Sequence, residues 1–244
     1  MNGWIAIATM EMRAFLRSKT AVFWTFLYPV LLLGLLGAVF TTTDKGYLIT
    51  GMAALTVIST ALFGFTSVLI ELRARGALLP LQLMPIGRMA FLTAFAASRV
   101  AILLVFALAF VLVANMAYGA GLTASPQNIA ALAAMILAGS LAFLGAGLVI
   151  AAVVTKPATA QALVNIINLP IIFLSDLFIP LSVMPGWIQA VAAWSPITLF
   201  VGALRTVMQG DVLPASVAPT LAMLTIMALA SFAIAATRFR WRAI

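Results

Sequence analysis

Apolar residues in this chain come in long runs, without the strict alternation of strands or the narrow stripe of a soluble helix. A helix needs roughly 20 apolar residues to cross the hydrocarbon core of a bilayer. Six runs approach or exceed that length: Thr20–Thr42, Tyr47–Ile70, Ala90–Tyr118, Gln127–Val154, Pro157–Leu174 and Leu213–Thr237. Pro29 interrupts the first, and Ser98-Arg99 lies near one end of the third. The uncharged stretch from Val100 to Thr155 is too long for one helix. It divides at GAGLTASP, Gly119 to Pro126, which is dense in turn residues. The pattern predicts an all-α membrane protein with six transmembrane helices in a single domain, 1–244.

Two stretches break this pattern. In residues 2–18, NGWIAIATMEMRAFLRS, the apolar Ile5, Ala8, Met12 and Phe15 recur at helical spacing, and Thr9, Arg13 and Arg17 fall on another face. That fits an amphipathic helix at the membrane interface; a plain basic flank that fixes topology is the alternative. The run that follows is longer than the apolar core of a cleaved signal, about 7–15 residues, so it reads as a retained span. The second break is Leu174 to Gly210, where Pro180, Pro185 and Pro196 interrupt any helix by removing backbone donors. Gly186 to Trp194 can form only a short helix between these breaks. Broken backbone at membrane depth persists only where protein or water satisfies its polar groups. Short re-entrant helices between spans five and six, capping one mouth of the assembly, are therefore expected. Trp187 and Trp194 suit the headgroup boundary.

Charge then sets orientation. Arg13, Arg17, Lys19, Arg73, Arg75, Arg88, Lys156, Arg238, Arg240 and Arg242 all fall on one side of a six-span chain. Lys45 and Arg205 fall on the other. The positive-inside rule makes the crowded side cytoplasmic, with both termini inside. The net charge of +8 thus reads as topology, and no nucleic-acid partner is expected. Only 7% of residues are charged and mean hydropathy is +1.23, against roughly a quarter charged in soluble domains. There is no cysteine and no histidine, which removes thiol chemistry and the commonest general base and metal ligand. Of five acids, Asp176 is the one expected near a span's apolar core. It is a candidate for function, or a helix cap. An intramembrane enzyme has little to work with, and a stand-alone secondary transporter usually shows midplane charges and repeats that are not evident here.

In the predicted fifth span Gln161, Asn165 and Asn168 share a helix face, which Ser175 continues. Buried amides need partners. They line a translocation path or bind helices together; both place the stripe inward. In the fourth span Ala134, Ala138, Ala142 and Ala146, with Gly139 and Gly145, form a small-residue ridge suited to close packing. Glu71-Leu-Arg-Ala-Arg-Gly-Ala-Leu-Leu-Pro-Leu-Gln-Leu-Met-Pro-Ile-Gly-Arg88 joins the second and third spans. Its leucines, Leu79 and Leu83 among them, offer an apolar anchor to a partner's groove, flanked by Arg73, Arg75 and Arg88.

The stretch FIPLSVMPGWIQAVAAWSPITLFVGALR resembles the C-terminal signature of type-2 ABC exporter membrane subunits. The residues that carry the likeness are Pro180, Met184-Pro185-Gly186-Trp187, Pro196 with Thr198, and Ala203-Leu204-Arg205. It departs at Asp176, where that family commonly has a small residue. The Glu71–Arg88 stretch, with Gly76 and Pro85, is similar to the family's coupling helix. The resemblance implies a homodimer or a pair of related permeases with two ATP-binding cassette ATPase subunits, in a bacterial inner membrane. No G-x-x-x-x-G-K-[S/T] occurs, so the chain binds no cofactor by that motif. ATP and Mg are expected on the partner, which would hydrolyse the ATP while this chain transports. A drug-like or lipid-like cargo is favoured over a polysaccharide or lipid-linked glycan, because no sugar-binding aromatic series is obvious.

The topology is testable by single cysteines. Lys45→Cys, Ser125→Cys and Gly186→Cys should react with an impermeant thiol reagent outside intact cells, and Arg75→Cys and Lys156→Cys should not. Labelling of Lys156→Cys from outside contradicts six spans with inside termini.

Overall fold

The structure is a computed structural model, and it describes residues 3–39, 45–77, 87–119, 125–154, 156, 158–160, 162–163, 166–167, 175–210 and 214–238. Among these residues there is no strand. Five helices are long and apolar enough to cross a membrane: Lys19–Ala38, Lys45–Ala74, Met89–Tyr118, Pro126–Val153 and Ser216–Arg238. They are called here the first, second, third, fourth and last spans. The expected span Pro157–Leu174 lies mostly outside the described residues. Between it and the last span, Gly186–Ala192 and Pro196–Met208 form a pair of helices bent by 83°. The chain is an all-α, multi-pass membrane protein with a broken re-entrant element near its C-terminal end.

The second and fourth spans form the centre. About two-thirds of each is buried (67% and 61%), against 17% for the first and last. Their contact depends on Gly147. A Cβ there would overlap the Thr66 hydroxyl and lie 2.6 Å from the Leu62 carbonyl oxygen, so no larger residue fits without moving backbone. The ridge expected in the fourth span is packing surface around Gly139, Ala142 and Gly145, whereas Ala134 is exposed. Gly139 lies under the Phe200 ring, and Gly145 faces Ser231 and Phe232 of the last span. Small residues let helices approach closely where lipid gives no hydrophobic force to press them together.

The bent pair is built by its prolines. Pro196 opens the second arm at a position where a missing backbone donor costs nothing. Phe200, near the start of this arm, packs edge-to-face on Phe143 with ring centroids 5.5 Å apart. Gly139 and Phe143 sit halfway along the fourth span. Met208, at the arm's end, accepts a hydrogen bond from Thr50 at 3.2 Å, close to where the second span begins. The arm therefore runs from mid-depth to one end of the bundle. Trp187 and Trp194, on the first arm and at the bend, are exposed.

The two ends of the bundle differ in charge as expected. At one end Lys45 donates to the Gly37 carbonyl at 2.9 Å, joining the first and second spans. At the other lie the ends of the second and fourth spans, with Arg73, Arg75, Lys156 and Arg238.

Three expectations are corrected. The second span runs on to Ala74, past the expected Ile70, so Glu71 and Arg73 lie in the helix and not in the connecting segment. The cause is Arg73 itself, which turns inward to the end of the fourth span. The third helix likewise begins at Arg88. Finally, Asp176 is not alone among acids near the core, because Glu11 is buried too.

Candidate functional site

Three arginines are largely withdrawn from solvent, and each is held by a different part of the chain. The first set surrounds Asp176. Its side chain accepts a hydrogen bond from Tyr47 Oη at 2.7 Å and one from the Leu181 backbone N–H at 3.2 Å, both on Oδ1. Its other oxygen accepts from Arg205 Nη1. Arg205 Nη2 also donates to the Asp176 carbonyl and, at 3.4 Å, to that of Leu177. The guanidinium stacks on the Tyr47 ring, 3.6 Å from its centroid. Side-chain exposure is 12% for Arg205 and 20% for Asp176, so water screens this pair little.

Asp176 is not the N-cap of the short turn Leu181–Val183, which is Pro180, but it accepts the N–H of Leu181 that opens that turn. It also ties that turn to the second span through Tyr47 and to the second arm through Arg205. Ser175 beside it is buried. Gly51 lets the turn come this close, because a Cβ there would collide with the Leu177 carbonyl oxygen. Of the residues singled out in the signature, Pro180, Met184, Pro185 and Trp187 follow this turn, and Pro196 opens the arm that carries Arg205. Tyr47 and Gly51 were not anticipated. The sequence signal for them was weak: one tyrosine and one glycine at the start of an apolar run.

The second set lies at the basic end. Arg73 is 2% exposed and its Nη1 donates to the carbonyl of Ala151 at 2.7 Å and to that of Val154 at 3.4 Å. These are terminal carbonyls of the fourth span, which lack partners in their own helix and carry the negative end of its dipole. Arg73 therefore locks the ends of the second and fourth spans together. Glu71 and Arg75 remain outside, in an exposed ion pair at 2.5 Å. The helix stops at Gly76, with φ of 70°. Leu79, Leu83 and Pro85 lie outside the described residues, as do Gln161, Asn165 and Asn168. Arg88 begins the third helix.

The third set was missed. Glu11 and Arg99 form a buried ion pair between the N-terminal helix Gly3–Arg17 and the third span, 7% and 5% exposed. The Arg99 guanidinium also lies 5.1 Å and 5.0 Å from the ring centroids of Phe65 and Phe95. The amphipathic helix is thus docked on protein by an ion pair as well as by its apolar face, where Phe15 meets Phe106. A signal existed: Glu11 falls between Ala8 and Phe15 at helical spacing, on the apolar face. An acid there requires a buried cation, and Arg99 is the cation inside a predicted span.

Breaking one partner from a buried pair costs about 3–5 kcal/mol, and the slight exposure of this one argues for the lower end. Arg205→Met should therefore lower the thermal stability of the purified chain well below wild type. Tyr47→Phe, which removes one hydrogen bond to a charged acceptor, should cost about 1.5–3 kcal/mol. Unfolding midpoints for Arg205→Met and wild type that coincide would dismiss the clamp.

Comparison with known families gives one match: the family model described as ABC-2 type transporter, over residues 2–208. No curated protein matches the chain.

Proposed function

The chain belongs to the ABC-2 type transporter family, as a membrane subunit of an ABC transporter, and we propose that it exports a hydrophobic or amphipathic compound from the cytoplasm. Subunits of this family work with ATP-binding cassette ATPases. The observation that carries the proposal is the family match over most of the chain, joined to the way the chain is tied at its basic end. In this reading that end is cytoplasmic, by the excess of Lys and Arg. Two ATPase subunits dock there on two copies of the permease in a bacterial inner membrane.

The Glu71–Arg88 segment is the proposed docking piece. The second span delivers it rigidly, because Arg73 anchors the span's last turn to the fourth. Arg73 itself then positions the segment from within and does not touch the partner. Glu71 and Arg75 are exposed to it. A push on the segment moves the second and fourth spans as one body. Their far end carries Tyr47, which holds Asp176 and, through it, Arg205 on the bent pair. This is a continuous path of contacts from the basic end to the opposite mouth. Such coupling requires contacts that differ between two states of the assembly. The polar face of Gln161, Asn165 and Asn168 would line the path between the two permease copies.

The favoured cargo class rests on the chain's composition, 65% hydrophobic with no obvious sugar-binding aromatic series. A lipid-linked glycan is the second reading, kept because an amphipathic lipid portion would suit the same apolar composition.

Leu79→Asp with Leu83→Asp tests the docking. Burying two unpaired carboxylates in an apolar groove costs several kcal/mol, so binding should fail while the spans insert normally. The expected result is loss of ATPase co-purification, or ATP hydrolysis no longer linked to export. Wild-type levels of both in one preparation would remove this segment from the coupling.

A further inference from the structure

A cavity of about 420 Å³ lies between the first and second spans, with Arg99 in its wall. Ligand sites for small molecules typically start at about 300 Å³. The lining residues of the second span run from Met52 to Val68, so the cleft extends about 24 Å at 1.5 Å per residue. It is long and narrow, apolar for most of its length, and open at a rim that carries exposed Trp24 and Tyr28.

Both π-helical segments among the described residues border it. Phe23–Leu27 supplies Trp24 and Thr25, and Ser59–Gly64 supplies Ser59, Thr60 and Gly64. π-turns are rare and concentrate at functional sites, since they widen the helix and disturb its regular bonding. Two of them facing one cavity is an arrangement that packing alone does not call for. Thr25 is 6% exposed and lines the cavity, and the Nε of Arg99 in its wall meets no hydrogen-bond partner among the described residues. A buried polar side-chain atom is normally hydrogen-bonded. Arg99 has five N–H donors, and Glu11 is its one carboxylate partner among the described residues.

We propose that this cleft binds a single-chain amphiphile, with its acceptor headgroup against Arg99 and its apolar chain running toward Met52. A carboxylate or phosphate head can accept from the Arg99 Nε–H that Glu11 leaves without a partner, whereas a trimethylammonium head brings no acceptor. The Arg99 end of the cleft is the end nearer the basic face of the bundle. An amphiphile in the leaflet on that side would already be oriented head to Arg99 and tail inward. The proposal rests on the export reading for its purpose, as a place where cargo first leaves the leaflet. Its binding test does not need that reading, because no ATPase takes part.

The test uses the full chain in lipid discs, with Trp24 retained and the other four tryptophans replaced by phenylalanine. Three probes are titrated: a dibrominated octadecanoate, the matching dibrominated octadecane and the matching octadecyl-trimethylammonium. Bromine quenches Trp24 at short range. The octadecanoate should quench saturably, whereas the alkane should quench only in proportion to its partitioning. The ammonium probe should bind at least about tenfold more weakly than the carboxylate, a difference of 1.4 kcal/mol or more. A Cβ at Gly64 meets only ordinary contacts, 3.7 Å from the Thr60 methyl, so Gly64→Leu can fill the cleft without displacing backbone. Thr60→Leu fills it from the same segment. Each variant should elute as wild type and lose saturable quenching. Non-saturable quenching by the octadecanoate, or equal saturation in wild type and both filled variants, overturns the site. Equal affinity for the ammonium probe overturns the headgroup assignment. Saturable binding in a chain that recruits no ATPase would leave the site standing and remove the export reading; the reverse pattern would do the opposite.

Discussion

A guanidinium among apolar side chains must find acceptors, because its lost hydration is otherwise uncompensated. Three arginines in this chain face that constraint, and the arrangement of the helices follows from how each is met. Arg73 takes carbonyls from the end of the fourth span, Arg99 takes Glu11, and Arg205 takes Asp176. Each contact joins the bundle to something that hydrophobic packing alone would leave loose in lipid: a span terminus, the N-terminal helix, and the broken helix pair. A bilayer exerts little hydrophobic force between helices, so such polar ties carry orientation that apolar surface cannot.

Around these ties the second and fourth spans act as a unit. Gly147 permits backbone approach in the middle, and Arg73 closes the basic end. At the other end Gly51 admits the Leu177 carbonyl and Tyr47 holds the Asp176 carboxylate. Each of these contacts pairs a specific small residue or a specific donor with backbone, except that of Tyr47, which donates to a carboxylate. None tolerates a sliding adjustment, since packed interiors shift between discrete arrangements and do not deform continuously. The first and last spans, mostly exposed, offer surface to lipid or to another copy of the chain. The last span still packs closely on the fourth, where Gly145 meets Ser231 and Phe232.

Much of this was legible in the sequence. Long apolar runs with basic residues on one side give a multi-pass helical protein, and Pro180, Pro185 and Pro196 mark the broken pair. The small residues of the fourth span gave its packing role. What escaped was partner choice. Asp176 and Arg205 were both noticed, one as a possible cap or path residue and the other as part of the signature, yet they are 29 residues apart and nothing local joins them. Glu11 and Arg99 are 88 apart. Arg73 looked like a loop charge because the apolar run ends before it; the fourth span's terminal carbonyls, distant in sequence, help make its burial favourable. Sequence periodicity reports which face of a helix is buried, and says little of which distant polar group completes it.

The central proposal is that the second and fourth spans move as one body and, in a two-copy assembly, shift the mouth opposite the basic end. Spin labels measure this directly in the reconstituted complex. One pair sits within a chain, at Arg75 and Lys156; the other sits at Gly186 on the two copies. With ATP bound but not hydrolysed, the Arg75–Lys156 distance should stay as in the nucleotide-free state and the Gly186–Gly186 distance should change. A fixed Gly186 distance, or separation of Arg75 from Lys156 on binding ATP, would contradict the account.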